Sequence, residues 1–128
     1  MLAYVMVGTN NVKRSAKFYD AALAPLGLVR TQGDKAYLGY GPKRSPKKSA
    51  FFVTKPYNKK SASFGNGTMI SLAASSKRAV DGFHKAALAN GGTDEGKPGP
   101  RPASNTNYVA YARDPDGNKI CAYCAKAK

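Results

Sequence analysis

The chain has 128 residues, enough for one domain with its own hydrophobic core. No apolar stretch approaches the roughly 20 residues that cross a bilayer, and the start MLAYVMVGTNN lacks the pattern of a secretory signal, so we expect a cytoplasmic protein without a membrane partner. Its 21 Lys and Arg against seven acids give a net charge of +14, which disfavours cationic partners.

The first half of the sequence predicts one helix among four strands. Apolar residues at spacings of three and four, at Ala16, Tyr19, Leu23 and Leu26, indicate a helix over residues 12–24. Strands are expected at residues 3–7, 28–31, 35–40 and 50–54.

The second half predicts the same order. A helix capped by Ser75 or Ser76 is expected to end near Asn90. The sequence Asp-Pro-Asp-Gly-Asn at residues 114–118 is typical of a hairpin turn that pairs Arg113 with Lys119. Residues 97–102 are expected to be too rich in Pro and Gly for regular structure. Strands are expected at residues 68–73, 93–96, 107–113 and 119–124.

The two halves share a repeated segment. Residues 18–27 read FYDAALAPLG, residues 83–92 read FHKAALANGG, and six positions are identical at an offset of 65. The same offset superposes the first strand of each half, so a unit of strand and helix is repeated. We therefore predict a single domain over residues 1–128, with β-α-β-β-β modules at 1–56 and 67–128 and a linker at 57–66.

Three segments, FYDAALAPLGL, GGTDEGKPGPR and YVAYARDPDGNKI, resemble the vicinal oxygen chelate superfamily in their order and spacing. This superfamily contains glyoxalase I, bleomycin resistance proteins and extradiol dioxygenases, and the resemblance covers essentially the whole chain. It implies an α+β fold in which two β-α-β-β-β modules form a curled mixed sheet with a central cleft. It also implies a homodimer.

Enzymes of this superfamily usually hold a divalent metal in the cleft with His and Glu ligands. Carried over to this chain, the three ligand positions fall on Tyr4, Met69 and Cys121, and His84, the one histidine, lies in the repeated helix. We therefore expect no metal, no cofactor and no assigned catalytic residue. A soft metal ion at these positions and a reactive Cys121 thiol remain as alternatives.

Strand alternation extends the predicted cleft surface around those three positions. The hairpin register places Tyr111 beside Cys121, and Arg101 could fix a carboxylate or phosphate at the cleft mouth. In the alternative interpretation these side chains only fill the space between the sheets, and Arg101 is an ordinary surface residue. The predicted substrate-binding residues are Tyr4, Met6, Met69, Ser71, Arg101, Tyr111, Cys121 and Tyr123.

The favoured function is binding of a small neutral or anionic organic molecule without metal chemistry. One alternative is a divergent lyase, isomerase or dioxygenase. Another is a basic module that binds nucleic acid or a protein partner, with nucleic acid the less favoured because its usual sequence motifs are missing. The basic segment in question contains no acid and carries Lys43, Arg44, Lys47, Lys48, Lys55, Lys59 and Lys60.

Overall fold

The computed structural model describes residues 1–102 and 106–125, which form eight strands, two α-helices and one 3-10 turn. In chain order the elements are β1 (Val5–Gly8), α1 (Val12–Leu23), the 3-10 turn (Ala24–Leu26), β2 (Leu28–Gly33), β3 (Tyr37–Pro42), β4 (Phe51–Thr54), β5 (Met69–Ala73), α2 (Lys77–Ala89), β6 (Thr93–Pro100), β7 (Tyr108–Arg113) and β8 (Lys119–Cys124). Within these described ranges, no helix is long and apolar enough to cross a membrane.

The strands form two four-stranded mixed sheets with matching topology. The first sheet has the order β1-β4-β3-β2 and the second the order β5-β8-β7-β6. In each sheet the first strand pairs in parallel with the last, and the remaining pairs are antiparallel. The predicted duplication of an α+β unit is therefore present in the fold, and the two sheets do not close on themselves.

Both helices begin at equivalent positions with the same kind of cap. The Asn11 side chain accepts a hydrogen bond from the backbone N–H of Arg14, and the Ser76 side chain accepts one from the backbone N–H of Ala79. These caps satisfy backbone donors that the first helical turn leaves without a partner. α1 and α2 begin at residues 12 and 77, which preserves the sequence offset of 65.

The buried face of α1 differs from the predicted one. Tyr19 and Leu23 are buried as expected, but Phe18 is buried as well, while Ala16 and Leu26 are only partly covered. The reason is that α1 packs against α2 as well as against its own sheet, so a wider part of its surface is covered. Residues of both modules join in one core cluster.

The prediction that residues 97–102 have no regular structure is wrong for residues 97–100, because β6 continues to Pro100. Gly99 pairs with Val109 and Pro100 with Tyr108, across two register irregularities near Gly96. β6 lies at the edge of its sheet, where a proline without an N–H can be accommodated on the unpaired side. The edge position therefore permits a strand that local composition argues against.

The turn between β7 and β8 joins the two modules. Its Asp116 carboxylate accepts hydrogen bonds from the Thr9 hydroxyl at 2.6 Å and from the backbone N–H of Asn10 at 2.9 Å, and it forms a 2.7 Å ion pair with Arg14. The Asn118 amide donates to the Gly8 carbonyl at 2.9 Å. The predicted hairpin turn thus also binds the loop that precedes α1.

Candidate functional site

Each sheet has one face packed on the helices and an opposite face that we call the open face. Val7 and Ile120 belong to the core on the helix side. Met6, one residue before Val7, and Tyr123, three residues after Ile120, are exposed. This alternation follows from the two-residue period of a strand. The predicted cleft residues of β1 and β8, which are Met6, Cys121 and Tyr123, therefore lie on the open face.

On the second sheet, the open face contains most of the predicted site. Ser71 of β5 lies beside Cys121 of β8, and Tyr111 of β7 lies on the other side of Cys121. The pairing of Arg113 with Lys119 confirms the hairpin register predicted from the sequence. Tyr123 follows two residues after Cys121 on the same face and is 38% exposed.

Cys121 lies on the open face of the second sheet, but neighbouring residues cover it. The residue is 1% exposed. Burial raises the pKa of its thiol, and the Ser71 hydroxyl and the charge of Lys119 oppose that rise only in part. Burial therefore disfavours the thiolate, which is the more nucleophilic form of a cysteine.

Two cations lie over the ring of Tyr111. The ammonium group of Lys119 is 5.2 Å from the ring centroid, and the guanidinium carbon of Arg101 is 5.9 Å from it. Arg101 is kept in place by hydrogen bonds to the carbonyls of Lys97 and Pro100. The structure thus brings Arg101 to the open face beside Tyr111, and it adds Lys119, which the sequence prediction did not include although it lies two residues before Cys121.

A cavity of about 400 Å³ opens at the start of β5. Its lining includes Met69, which is 41% exposed, together with Lys119 and Arg113. Arg113 donates to Glu95 at 3.1 Å and to the carbonyl of Gly117 at 2.8 Å, so its charge is already compensated. Lys119 therefore lies both at the wall of the cavity and over the Tyr111 ring.

On the first sheet, the open face carries an aromatic group. Tyr4 and Met6 are 55% and 51% exposed, and the Tyr4 ring contacts the Phe52 ring edge to face at a centroid distance of 5.1 Å. Tyr37 lies 6.3 Å from the same Phe52 ring. Strand alternation could have indicated both additional rings, since Tyr37 and Phe52 each lie one residue before a core residue, Leu38 and Val53 respectively.

The eight predicted residues therefore fall into two groups on separate sheets. Tyr4 and Met6 lie on the first sheet, and the remaining six lie on or beside the second. Cys124, by contrast, belongs to the core on the helix side, as its spacing from Cys121 predicts. The His84 ring lies 2.8 Å from the Asp94 carboxylate, where α2 packs against β6.

The fold agrees with comparisons to known proteins. Residues 1–122 match the sequence model of the Glyoxalase/Bleomycin resistance protein/Dioxygenase superfamily, and the chain belongs to this family. A glyoxalase/bleomycin resistance protein from Albidiferax ferrireducens T118 is 43% identical, with a TM-score of 0.85 over 97% of this chain and 98% of that one. A comparison with curated proteins found no match.

More distant structures share the fold. A glyoxalase-related enzyme from Fulvimarina pelagi is 16% identical, with a TM-score of 0.73 over 97% of this chain and 87% of that one. A glyoxalase I mutant from Zea mays is 26% identical, with a TM-score of 0.71 over 94% of this chain and 44% of that one. The maize enzyme is thus about twice as long as the part that this chain matches.

At the three positions where the resemblance places the family's metal ligands, this chain has none of the usual His and Glu side chains. Tyr4 offers a solvent-exposed phenol, Met69 a thioether, and Cys121 a buried thiol whose pKa is raised. Zinc, nickel, manganese and iron sites in proteins are built from imidazole, carboxylate or thiolate groups. In the described ranges, His, Cys, Asp and Glu side chains form no group of three or more that could hold a metal.

Proposed function

We propose that this glyoxalase/bleomycin-resistance-like protein binds a small neutral or anionic organic molecule on its open face without metal chemistry. The observation that carries the proposal is the position of Lys119, over the Tyr111 ring and at the wall of the cavity beside Met69. A flat organic group can stack on Tyr111 or contact the adaptable Met69 side chain, while a carboxylate pairs with Lys119. Arg101 provides a second cation within reach of the same ring.

The charge of the site favours an acid over a neutral ligand. Lys119 and Arg101 both contact Tyr111, whereas the nearby Glu95 carboxylate is occupied by Arg113. The net charge of +14 adds a long-range attraction for anions that salt would weaken. Ser71 and Tyr123 supply hydroxyl groups for orienting such a ligand.

The proposal is tested by thermal unfolding in the presence of benzoate, indole-3-acetate and benzamide. A ligand at about ten times its Kd should add about 1.4 kcal/mol to the free energy of unfolding, and the two acids should act at lower concentration than the amide. Lys119→Gln should abolish the preference for the acids. Lys85→Gln removes the same charge from the exposed side of α2 and should leave the preference unchanged. Equal shifts in both variants would contradict the role of Lys119.

The absence of metal chemistry is tested on purified, untagged protein by elemental analysis. We expect substoichiometric zinc, nickel, manganese and iron after dialysis, because the three family positions hold a phenol, a thioether and a protonated thiol. One equivalent of any of these metals, lost with a change at Cys121, would instead support the divergent enzyme.

We also propose that a second copy of the chain covers the open face and completes the ligand site. Tyr4, Met6 and Met69 expose apolar surface there, and such surface is typical of a protein interface. Met6→Lys should lower the dimer fraction in sedimentation velocity. Leu88→Lys, at an exposed position of α2, is the matched control and should leave it unchanged. A parent protein that is monomeric at all concentrations would rule out this arrangement.

A cytoplasmic location is part of the proposal as well. Cys121 and Cys124 are both free thiols on opposite faces of β8. Reduced cysteines suit a compartment in which glutathione keeps thiols reduced.

A further inference from the structure

A lysine-rich surface with one exposed aromatic ring lies at the end of β4. Tyr57 is completely exposed, and it stands between Lys55 on one side and Lys59 and Lys60 on the other. We call residues 55–60 the Tyr57 turn. Because the Tyr57 ring is not covered by the protein, both of its faces can contact a ligand.

The Tyr57 turn is held in a fixed conformation. The backbone N–H of Lys59 donates to the Pro56 carbonyl, and that of Lys60 donates to the Asn58 side chain, both at 3.0 Å. Just after the turn, the Asn10 side chain accepts from the backbone N–H of Ala62 at 2.6 Å and donates to its carbonyl at 3.2 Å. The segment that follows the turn is thus bound to the loop before α1, which limits the conformations of the turn and the entropy that a ligand would have to remove.

Two adjoining concavities extend the basic surface on both sides of Lys55. The smaller, of about 280 Å³, is lined by Lys55, Lys59 and Lys60, with Asn10 and no acid. The larger, of about 530 Å³, shares Asn10 and Lys55 and adds Lys13 and Lys35.

The acid that lines the larger concavity, Asp34, is hydrogen-bonded within the protein. Asp34 accepts hydrogen bonds from the backbone N–H groups of Ala36 and Tyr37. Arg30, which also lines this concavity, is paired with Asp20. The five lysines therefore outweigh the negative charge along the surface.

We propose that this surface binds single-stranded nucleic acid, with phosphates on the lysines and a base stacked on Tyr57. Cations spread over two concavities match a repeating backbone charge better than one compact anion. An exposed ring supplies a stacking platform for any base, which is the usual partnership in proteins that bind single strands without sequence preference. Insertion into a lipid surface instead uses several apolar side chains on one face, and the Tyr57 turn has a single ring.

The test measures fluorescence anisotropy of a labelled oligothymidine of about 15 nucleotides at about 50 mM salt. Lys55→Gln combined with Lys60→Gln should weaken binding about tenfold and lower the slope of log affinity against log salt by about 1.4, at about 0.7 per phosphate contact. Lys43→Gln combined with Lys47→Gln removes the same charge from the loop before β4, at the other end of that strand, and should change affinity less than about twofold. Circular dichroism melting checks that all variants fold.

The stacking contact is tested separately. Tyr57→Ala should weaken oligothymidine binding by a factor of about five or more, whereas Tyr57→Phe should retain it. Inorganic polyphosphate has phosphates but no bases. The affinity of polyphosphate, obtained from its competition with oligothymidine, should therefore be unchanged by both substitutions at Tyr57. Equal losses in the two lysine double variants, no effect of Tyr57→Ala, or tighter binding to anionic phosphatidylserine vesicles than to oligothymidine would each overturn the proposal.

Discussion

The Tyr19 hydroxyl donates a 2.5 Å hydrogen bond to the Asp114 carboxylate, linking α1 of the first module to the β7–β8 turn of the second. Both residues are buried. Burial raises the pKa of Tyr19 well above its ordinary value, and the neighbouring Asp114 carboxylate raises it further. The same carboxylate also accepts from the Asn118 backbone and side chain, so one acid organises the turn that binds the first module.

Removing the Tyr19 hydroxyl should destabilise the protein. Tyr19→Phe takes one donor from a buried carboxylate, and we expect a loss of about 1–3 kcal/mol in the free energy of unfolding. Urea unfolding followed by circular dichroism measures this loss. Tyr37→Phe is the control, because its hydroxyl donates to Gln32 at the surface, and it should cost less than about 0.5 kcal/mol. A loss of less than about 0.5 kcal/mol for Tyr19→Phe would show that the contact between the modules is not stabilising.

The contact between His84 and Asp94 predicts a specific pH dependence. The hydrogen bond from His84 lowers the pKa of Asp94, and a backbone hydrogen bond from Gly96 lowers it further. Because the folded-state pKa lies below the unfolded one, the stabilisation is present above the unfolded pKa and is lost as pH falls through the folded value. At about pH 6, Asp94→Asn should therefore be less stable than the parent protein. At about pH 3, below the ordinary pKa of an aspartate side chain, the stabilities of the two proteins should approach each other. Urea midpoints measured across this range check it, and a difference that is constant with pH would contradict it.

The parts of the structure that sequence predicts well are those fixed by local rules. The Asp-Pro-Asp-Gly-Asn turn sets the register that brings Tyr111 beside Cys121, because a tight turn leaves little choice of pairing. The two-residue period of a strand sends Cys121 and Cys124 to opposite faces. Six identities at a constant offset were enough to predict two modules with the same topology.

The parts that sequence did not predict depend on contacts between distant elements. Phe18 is buried because α1 packs against α2 of the other module. No local sequence pattern indicates that this side of α1 is covered. β6 continues to Pro100 because it lies at a sheet edge, a position that only the complete topology defines. Lys119 becomes part of the candidate site through its distance from Tyr111, which requires coordinates.

Gly41 in β3 is predicted to tolerate no side chain. A Cβ atom at this position would lie 1.6 Å from the carbonyl oxygen of Lys48, where the loop between β3 and β4 folds back on the strand. Because the obstacle is backbone, Gly41→Ala should cost more than about 3 kcal/mol. Gly27→Ala is a useful comparison, since Gly27 has a φ of 76° and no atom within 4 Å of the added carbon. Its cost should be only the conformational strain of about 1–2 kcal/mol, and a larger loss than for Gly41→Ala would contradict the packing argument.

The two cysteines should be protected from thiol reagents in the folded protein. Cys121 and Cys124 are 1% and 4% exposed, and burial raises the pKa of the Cys121 thiol, so little thiolate is accessible. We expect reaction with Ellman's reagent to be at least about 100-fold slower in buffer than in guanidinium chloride, where both thiols should react. A thiol that reacts rapidly in the folded protein and disappears in Cys121→Ser but not in Cys124→Ser would support the reactive-thiol alternative. In that case the open face would carry a nucleophile as well as a binding surface, and the proposal of binding without chemistry would fail.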